Sequence, residues 1–474
     1  MAHIVCITSG LTSMFNASLA LVKQLERAGH RITYASPADL KERVTVQGIA
    51  YVQLDPYVIQ LEEPPMGWWE KLRTLRSRQQ HAIEALGVQN FVQTMQELTP
   101  DLLLIHNEMH PHIMAAVTAQ FPVALLCTFL SVWRRPNLPP IHTHIVPGEG
   151  WRGQWMGIQW TWLRYSWQKW KEFQRDRAQR VGLDRISVLR CYARQIGHPF
   201  RARFGFTQWL VPYPHGSLPI LCLNALEIDF PHDPHPLMHY VGPMVWAERQ
   251  EPQVDQSTYK ILEQLFENRR SNGASDRALI YCSCSTFVKG DQRRLKKIIE
   301  AVAECPEWDL VLGLGGQLTP EQLGPLPSNV YAFSWAPQFQ ILKQADCAVV
   351  DAGSSAVREC IYAGVPMLIY SRGHDDQNGN QTRVVYHGLG IAGDRAQDSA
   401  AQIRNYMQTL LTDRSYQTRI NHMRERFQRY THENQAVQVV EALLSQQQGQ
   451  VKSALENPSK VLGKTLVDVK GGVQ

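Results

Sequence analysis

Between Phe333 and Arg383 the chain alternates apolar strands with small-residue turns, and this stretch restricts the rest more than any other. Trp335-Ala336-Pro337-Gln338 opens it, and an apolar strand, Cys347 to Val350, follows. Asp351-Ala352-Gly353-Ser354-Ser355 then turns into a short helix carrying Glu359. After Gly364-Val365-Pro366 and a second apolar strand come Asp375-Asp376-Gln377, Asn380 and Arg383. Strand, turn, helix, strand, polar loop and helix make one unit of a parallel α/β sheet. Ligands of such sheets sit outside the carboxyl ends of the strands, where these turns lie. The helix start at Ser354 offers backbone N–H groups and a positive dipole end, which suits a phosphate. The plain alternative is an ordinary βα turn in which Ser354 or Ser355 caps the helix.

The whole string resembles the nucleotide-sugar signature of the family 1 glycosyltransferases of the GT-B fold. Trp335, Pro337, Gln338, Gly353, Glu359, Gly364, Pro366, Asp376, Gln377 and Asn380 stand at matching places in order. The resemblance implies that Trp335 stacks on the nucleobase, that Glu359 holds the ribose hydroxyls, and that Asp376 and Gln377 hold the sugar. An indole offers a large apolar face to a base, and carboxylates accept charge-assisted hydroxyl hydrogen bonds. Gln338, Gly353, Ser354, Ser355 and Asn380 complete the donor-binding candidates on this stretch. Upstream, Ser283-Cys284-Ser285-Thr286 matches a further family turn, with Thr286 set to reach the pyrophosphate and Ser285 where the family has Gly. The first His of the family signature is Asp351 here. A carboxylate about 4 Å from a phosphate charge costs up to roughly 4 kcal/mol at an effective dielectric of 20. Asp351 therefore turns away, stays protonated or reports a changed function; a simple preference for the positive helix end explains it equally well.

The amino-terminal half resembles the family less closely. A strand at His3 to Thr8, a helix from about Met14 to Ala28 and a strand at Arg31 to Ala35 match its opening. The family's catalytic His, a general base, falls at Met14, and a thioether cannot take a proton. A buried strand from Asp101 to Ile105 ends in His106-Asn107-Glu108-Met109-His110-Pro111-His112, where Asn107 is nearest the family's orienting Asp. In this fold that strand end faces the same cleft as the first. His106, Glu108 and His110 are thus candidates for the displaced base, with Asp351 the next; the alternative is a set of partly exposed loop residues. The three histidines could also hold a metal, but no further ligand is evident. Further on, Trp151, Trp155, Trp160, Trp162, Trp167 and Trp170 alternate with basic residues. Such a run lines an apolar acceptor pocket or rests at a lipid interface, unless a helix pair packs at least half of these rings into the core.

At 474 residues the chain exceeds what one core supports. Its apolar and charged fractions, 44% and 19%, are those of a globular protein, and a net charge of +5 over this length does not argue for nucleic acid. Nine scattered cysteines read as small buried hydrophobes in a reducing cytoplasm. Neither a signal peptide nor a membrane span is evident, so a cytoplasmic location, with peripheral membrane contact through 151–170, is expected.

The expected fold is α/β of GT-B type: two facing doubly wound, Rossmann-like domains with an interdomain cleft. The acceptor domain spans 1–241 and the nucleotide-sugar domain 242–432, with a returning helix at 433–446 and a polar tail at 447–474. The resemblance implies inverting transfer of a hexose from a nucleotide diphosphate sugar, most simply UDP-linked, to a hydroxyl of a small or lipophilic acceptor. No metal or cofactor beyond the co-substrate is implied. A noncatalytic relative that binds a ligand or partner is the other reading, because both family histidines are replaced.

Overall fold

The computed structural model describes residues 1–58, 60–131, 133–200, 215–271, 277–284, 292–373 and 376–456. Apolar runs buried along most of their length form its strands, as a sheet covered on both faces requires. The first sheet holds β1 (His3–Ile7), β2 (Arg31–Ser36), β3 (Ala50–Gln53), β4 (Leu102–His106), β5 (Val123–Cys127), β6 (Ile220–Cys222) and β7 (Met238–Tyr240). The second holds β8 (Ala278–Ser283), β9 (Trp308–Gly313), β10 (Val330–Phe333), β11 (Cys347–Asp351), β12 (Met367–Tyr370) and β13 (Gly390–Gly393). Their orders are β3-β2-β1-β4-β5-β6-β7 and β10-β9-β8-β11-β12-β13, and the pairings are parallel. Both orders reverse direction beside their first strand, which opens a crevice at the carboxyl edge of each sheet. The chain therefore has two Rossmann-like domains.

Helices cover both faces of each sheet, giving each domain two apolar layers. The second-domain layer around Val350, Ile361 and Val384 also takes in Leu130, Ile141, Ala225 and Ile228 of the first domain. Gly242 marks the crossover: its φ is +103°, and a Cβ there would lie 2.5 Å from the Tyr430 Cβ. Only glycine satisfies both conditions. The last helix, Gln435–Glu456, packs Ala436, Val437, Val440 and Leu444 against the first domain beside helix Thr12–Arg27. It runs ten residues past the expected boundary at 446.

Two other expectations change. The sequence after Trp69 reads as one long helix to about Leu98, but the structure breaks this region into Trp68–Arg73, Leu75–Glu84 and Phe91–Leu98. The tryptophan-rich segment does form two helices, Gly150–Gly153 and Trp155–Arg180, but of its six indoles only Trp162 is buried. The periodicity explains this for the long helix: Ile158, Trp162 and Tyr165 share the inward face, whereas Trp160, Trp167 and Trp170 fall on the outward one. Thr286 and the whole stretch Arg201 to Tyr213 lie outside the described residues.

Candidate active site

The carboxyl ends of β8, β11, β12 and β13 meet at Asp351. Its Oδ1 accepts from Arg294 Nη2 at 3.0 Å and Arg395 Nη1 at 2.7 Å. Its Oδ2 accepts from Arg372 Nη2 at 3.1 Å and Nε at 3.2 Å. Four donors thus fill the four lone-pair sites of one carboxylate. Asp351 neither points away into solvent nor stands alone against a phosphate; it gathers three guanidinium groups, leaving a local excess of two positive charges. The repulsion expected from sequence therefore changes sign.

Asp351 leads directly into helix Ser354–Ala363. Neither serine caps it: Gly353 is the N-cap, with no side-chain hydrogen bond, and Gly364 ends the helix in the left-handed region. Ser354 Oγ instead donates to Thr128 O of the first domain at 3.1 Å. Ser355 Oγ accepts from Arg358 Nη2 at 3.0 Å. Without a side-chain cap, the N–H groups at this helix start, next to the arginine cluster, form an anion-binding geometry.

Glu359, one turn further, is buried, and both its oxygens are engaged. Oε1 accepts from Arg249 Nη1 at 3.0 Å and Oε2 from Gln338 Nε2 at 2.8 Å. Tyr281 Oη donates to the Gln338 carbonyl at 3.3 Å. Trp335 is partly exposed, and its ring presses on the Gly316 backbone, where a Cβ would lie 2.4 Å from the indole. Asn380 Nδ2 reaches both Ala352 O and Asp376 Oδ2 at 2.9 Å, and so aims the Asp376 carboxylate. Gln377 Oε1 accepts from Arg372 N at 2.8 Å. The described donor candidates of the second domain therefore gather along one carboxyl edge.

The first domain faces this edge closely. Arg358 Nη1 donates to Leu223 O at 2.7 Å and Asn378 Nδ2 to His142 O at 2.8 Å. Gly379 permits the approach, since a Cβ there would lie 2.1 Å from Ile141 O. Where Ser354, Arg358 and Asn380 face Leu130 and Asn224, the gap between domains is about 10 Å3, roughly room for one water. A larger groove, about 350 Å3 between helices of the first domain near Val88, Ala115 and Tyr192, contains none of these residues.

Of the base candidates, His106 is buried at the end of β4, with Nδ1 3.4 Å from Ser9 Oγ. Burial pushes its pKa down to about 3, which makes it a weak base. Glu108 is partly exposed, and its main-chain oxygen accepts from Tyr57 and Arg185. Burial, then the charges of Glu108 and Asp376, push the Cys127 thiol up to about 12. One thiol thus senses carboxylates from both domains. Met14 is buried in helix Thr12–Arg27. His110 pairs with His215 at 3.0 Å, and His112 lies edge-on to Tyr57 and Phe91. The three histidines after β4 therefore part ways; among the described residues no three His, Cys, Asp or Glu stand together as a metal site.

Arg249, Arg294, Arg372 and Arg395 carry no motif and were not legible as site residues. The only sequence signal was Asp351 itself: an acid at a phosphate-type turn needs cationic partners.

Two parallel-sheet, Rossmann-like domains facing each other across a cleft are the GT-B fold. Residues 216–440 match the family model described as UDP-glucoronosyl and UDP-glucosyl transferase. The chain is 25% identical to the oleandomycin glycosyltransferase of Streptomyces antibioticus over 84% of its own length and 80% of that protein. It is 24% identical to the zeaxanthin glucosyltransferase of Pantoea ananas, with 89% and 91% covered. In structure it resembles the glycotransferase of kitacinnamycin, at a TM-score of 0.64 with 20% identity and 93% and 98% coverage. The corresponding values for the glycosyltransferase VinC in complex with dTDP are 0.58, 15%, 94% and 99%. These likenesses make the protein an enzyme of the glycosyltransferase class, with the family match confined to residues 216–440.

Proposed function

We propose that the enzyme transfers a hexose from a nucleotide diphosphate sugar, UDP-linked in the simplest case, to a hydroxyl of a small or lipophilic acceptor, with inversion and without a divalent metal or other cofactor. The observation that carries this reading is the Asp351 cluster beside the uncapped Ser354 helix. A leaving diphosphate develops negative charge as the bond to the sugar breaks, and preorganised guanidinium and N–H groups stabilise it. Relatives named for zeaxanthin and oleandomycin support a lipophilic hydroxylated acceptor. Trp335 stacks on the base, while Asp376 and Gln377 hold the sugar. The acceptor oxygen attacks the anomeric carbon, the diphosphate leaves, and Glu108 takes the hydroxyl proton, with His106 the weaker alternative.

Glu359 does double service: it is locked by Arg249 and Gln338, so ribose hydroxyls displace or share these bonds. That locked carboxylate, with the narrow gap at Ser354, also favours a second reading, a protein that binds without turnover. Calorimetric titration with UDP-glucose, with dTDP-glucose beside it, tests both. Binding that weakens at least about tenfold, or roughly 1.4 kcal/mol, in Trp335→Ala and Glu359→Ala is the expected result. Absence of binding to every nucleotide sugar overturns the transferase reading; binding with no turnover on any hydroxylated acceptor favours the second.

A further inference from the structure

Helix Trp155–Arg180 carries an apolar stripe left exposed among the described residues. Met156, Trp160, Leu163, Trp167 and Trp170 are each at least half exposed. They recur at helical spacing on one side, over roughly 21 Å at 1.5 Å per residue. The opposite side, with Ile158, Trp162 and Tyr165, packs inward. A stripe of aromatics this long is not ordinary surface, since contiguous exposed apolar patches mark interaction sites.

The charges around the stripe identify its partner. Segment 151–180 holds seven Lys or Arg against two Asp or Glu, an excess equal to the +5 of the whole chain. By helical phase Arg164, Lys171 and Arg175 run along one edge of the stripe and Arg177 along the other, and all four are exposed. Glu172 and Asp176 fall toward the protein side, and Asp176 is neutralised by Arg180 at 2.7 Å. Lys171 Nζ lies 3.5 Å from the Trp167 ring centre, so the cations and indoles form one mixed surface. Tryptophan favours the boundary between water and acyl chains, and basic residues favour anionic headgroups. Among the described residues no helix is long and apolar enough to cross a membrane, so such a helix lies in the interfacial plane.

We infer that the Met156–Trp170 face seats the enzyme on the surface of an anionic lipid bilayer. The same helix holds the loop that meets the donor domain. Trp162 Nε1 donates to Leu138 O at 2.6 Å, and His142, stacked near Tyr165, accepts from Asn378. Bilayer contact thus lies one layer from the cleft. The inference stands whether or not the protein transfers sugar, because its test reads binding alone.

The test is flotation of the full chain with vesicles of phosphatidylglycerol and phosphatidylcholine, against pure phosphatidylcholine. Tryptophan emission and its quenching by brominated acyl chains are recorded alongside. Binding to the anionic vesicles is expected, with a blue shift, quenching and weakening by salt. Trp160→Ser with Trp167→Ser should reduce partitioning at least about tenfold, and Arg164→Glu with Lys171→Glu should remove the preference for phosphatidylglycerol. These positions are exposed, so circular dichroism and thermal midpoint should stay unchanged. The inference is overturned if the wild-type chain floats with neither vesicle, or if both variants bind as well as it does. A stable dimer, seen by sedimentation and dissolved by the tryptophan variant, overturns it too and assigns the stripe to a second copy.

Discussion

Arg383 of the second domain meets Asp229 of the first in a buried ion pair, with Nη2 and Nε at 2.6 and 2.7 Å from Oδ1. Both side chains are almost wholly shielded from water, and the guanidinium also sits over the Phe230 ring. Removing one partner of such a pair strands a charge, which costs about 3–5 kcal/mol, whereas removing both together costs far less. Arg383→Met should therefore lower stability in urea by that amount, and Arg383→Met with Asp229→Leu should recover much of it. A double variant as unstable as the sum of the singles would show that the pair is not the source.

Asp351 should matter for the diphosphate rather than the base. Without its carboxylate the three arginines repel one another and lose their common orientation. Asp351→Asn is expected to weaken UDP binding at least about tenfold, or roughly 1.4 kcal/mol, while uridine binding stays as it was. Equal UDP affinity in wild type and variant would dismiss the cluster as a phosphate platform.

Glu108→Gln should lower turnover by about a hundred- to ten-thousand-fold with donor affinity intact, since a general base contributes about that much. His106→Asn should have a smaller effect, because burial holds that imidazole's pKa at about 3. The reverse ranking would move the base to β4's last residue; full turnover in both would move it elsewhere.

Acid should unfold the protein steeply. Burial lowers His106 and His215 to about 3 and His112 to about 4, from an ordinary 6.5. These rings stay neutral when folded and take up protons when unfolded. Their stabilising contribution is complete above about pH 6.5 and is lost as pH falls toward 3 to 4, by about 1.4 kcal/mol per pH unit for each. Urea midpoints at pH 7, 6 and 5 should fall accordingly, and His112→Gln should remove one proton from the linkage. A flat midpoint across this range would rule the effect out.

Most of the strand framework was legible because buried parallel strands are apolar runs bounded by turns. β7 and β13 escaped for the same reason: one is three residues long, and the other is bounded by Gly390 and Gly393. The donor edge was visible in Trp335, Glu359 and Asp376, which lie close together in sequence. Its arginines were not. Arg294, Arg372 and Arg395 follow three different strands and converge only because β8, β11, β12 and β13 are neighbours in the sheet. For the tryptophan run only the core alternative failed, since which rings turn inward is not known until their phase against Ile158 and Tyr165 is fixed.

The helix Gln435–Glu456 has a consequence for how the protein is made. Ala436, Val437, Val440 and Leu444 complete the apolar layer of the domain that leaves the ribosome first. While the chain is being made, that domain can form its sheet, but its outer layer beside helix Thr12–Arg27 stays open until synthesis has passed residue 444. From the end of the first domain until this helix is made, the nascent chain carries an unfinished apolar surface, the kind that invites association. A chain that stops short of residue 435 keeps that surface exposed, so its first domain is left with an open apolar layer although every residue before that point is present.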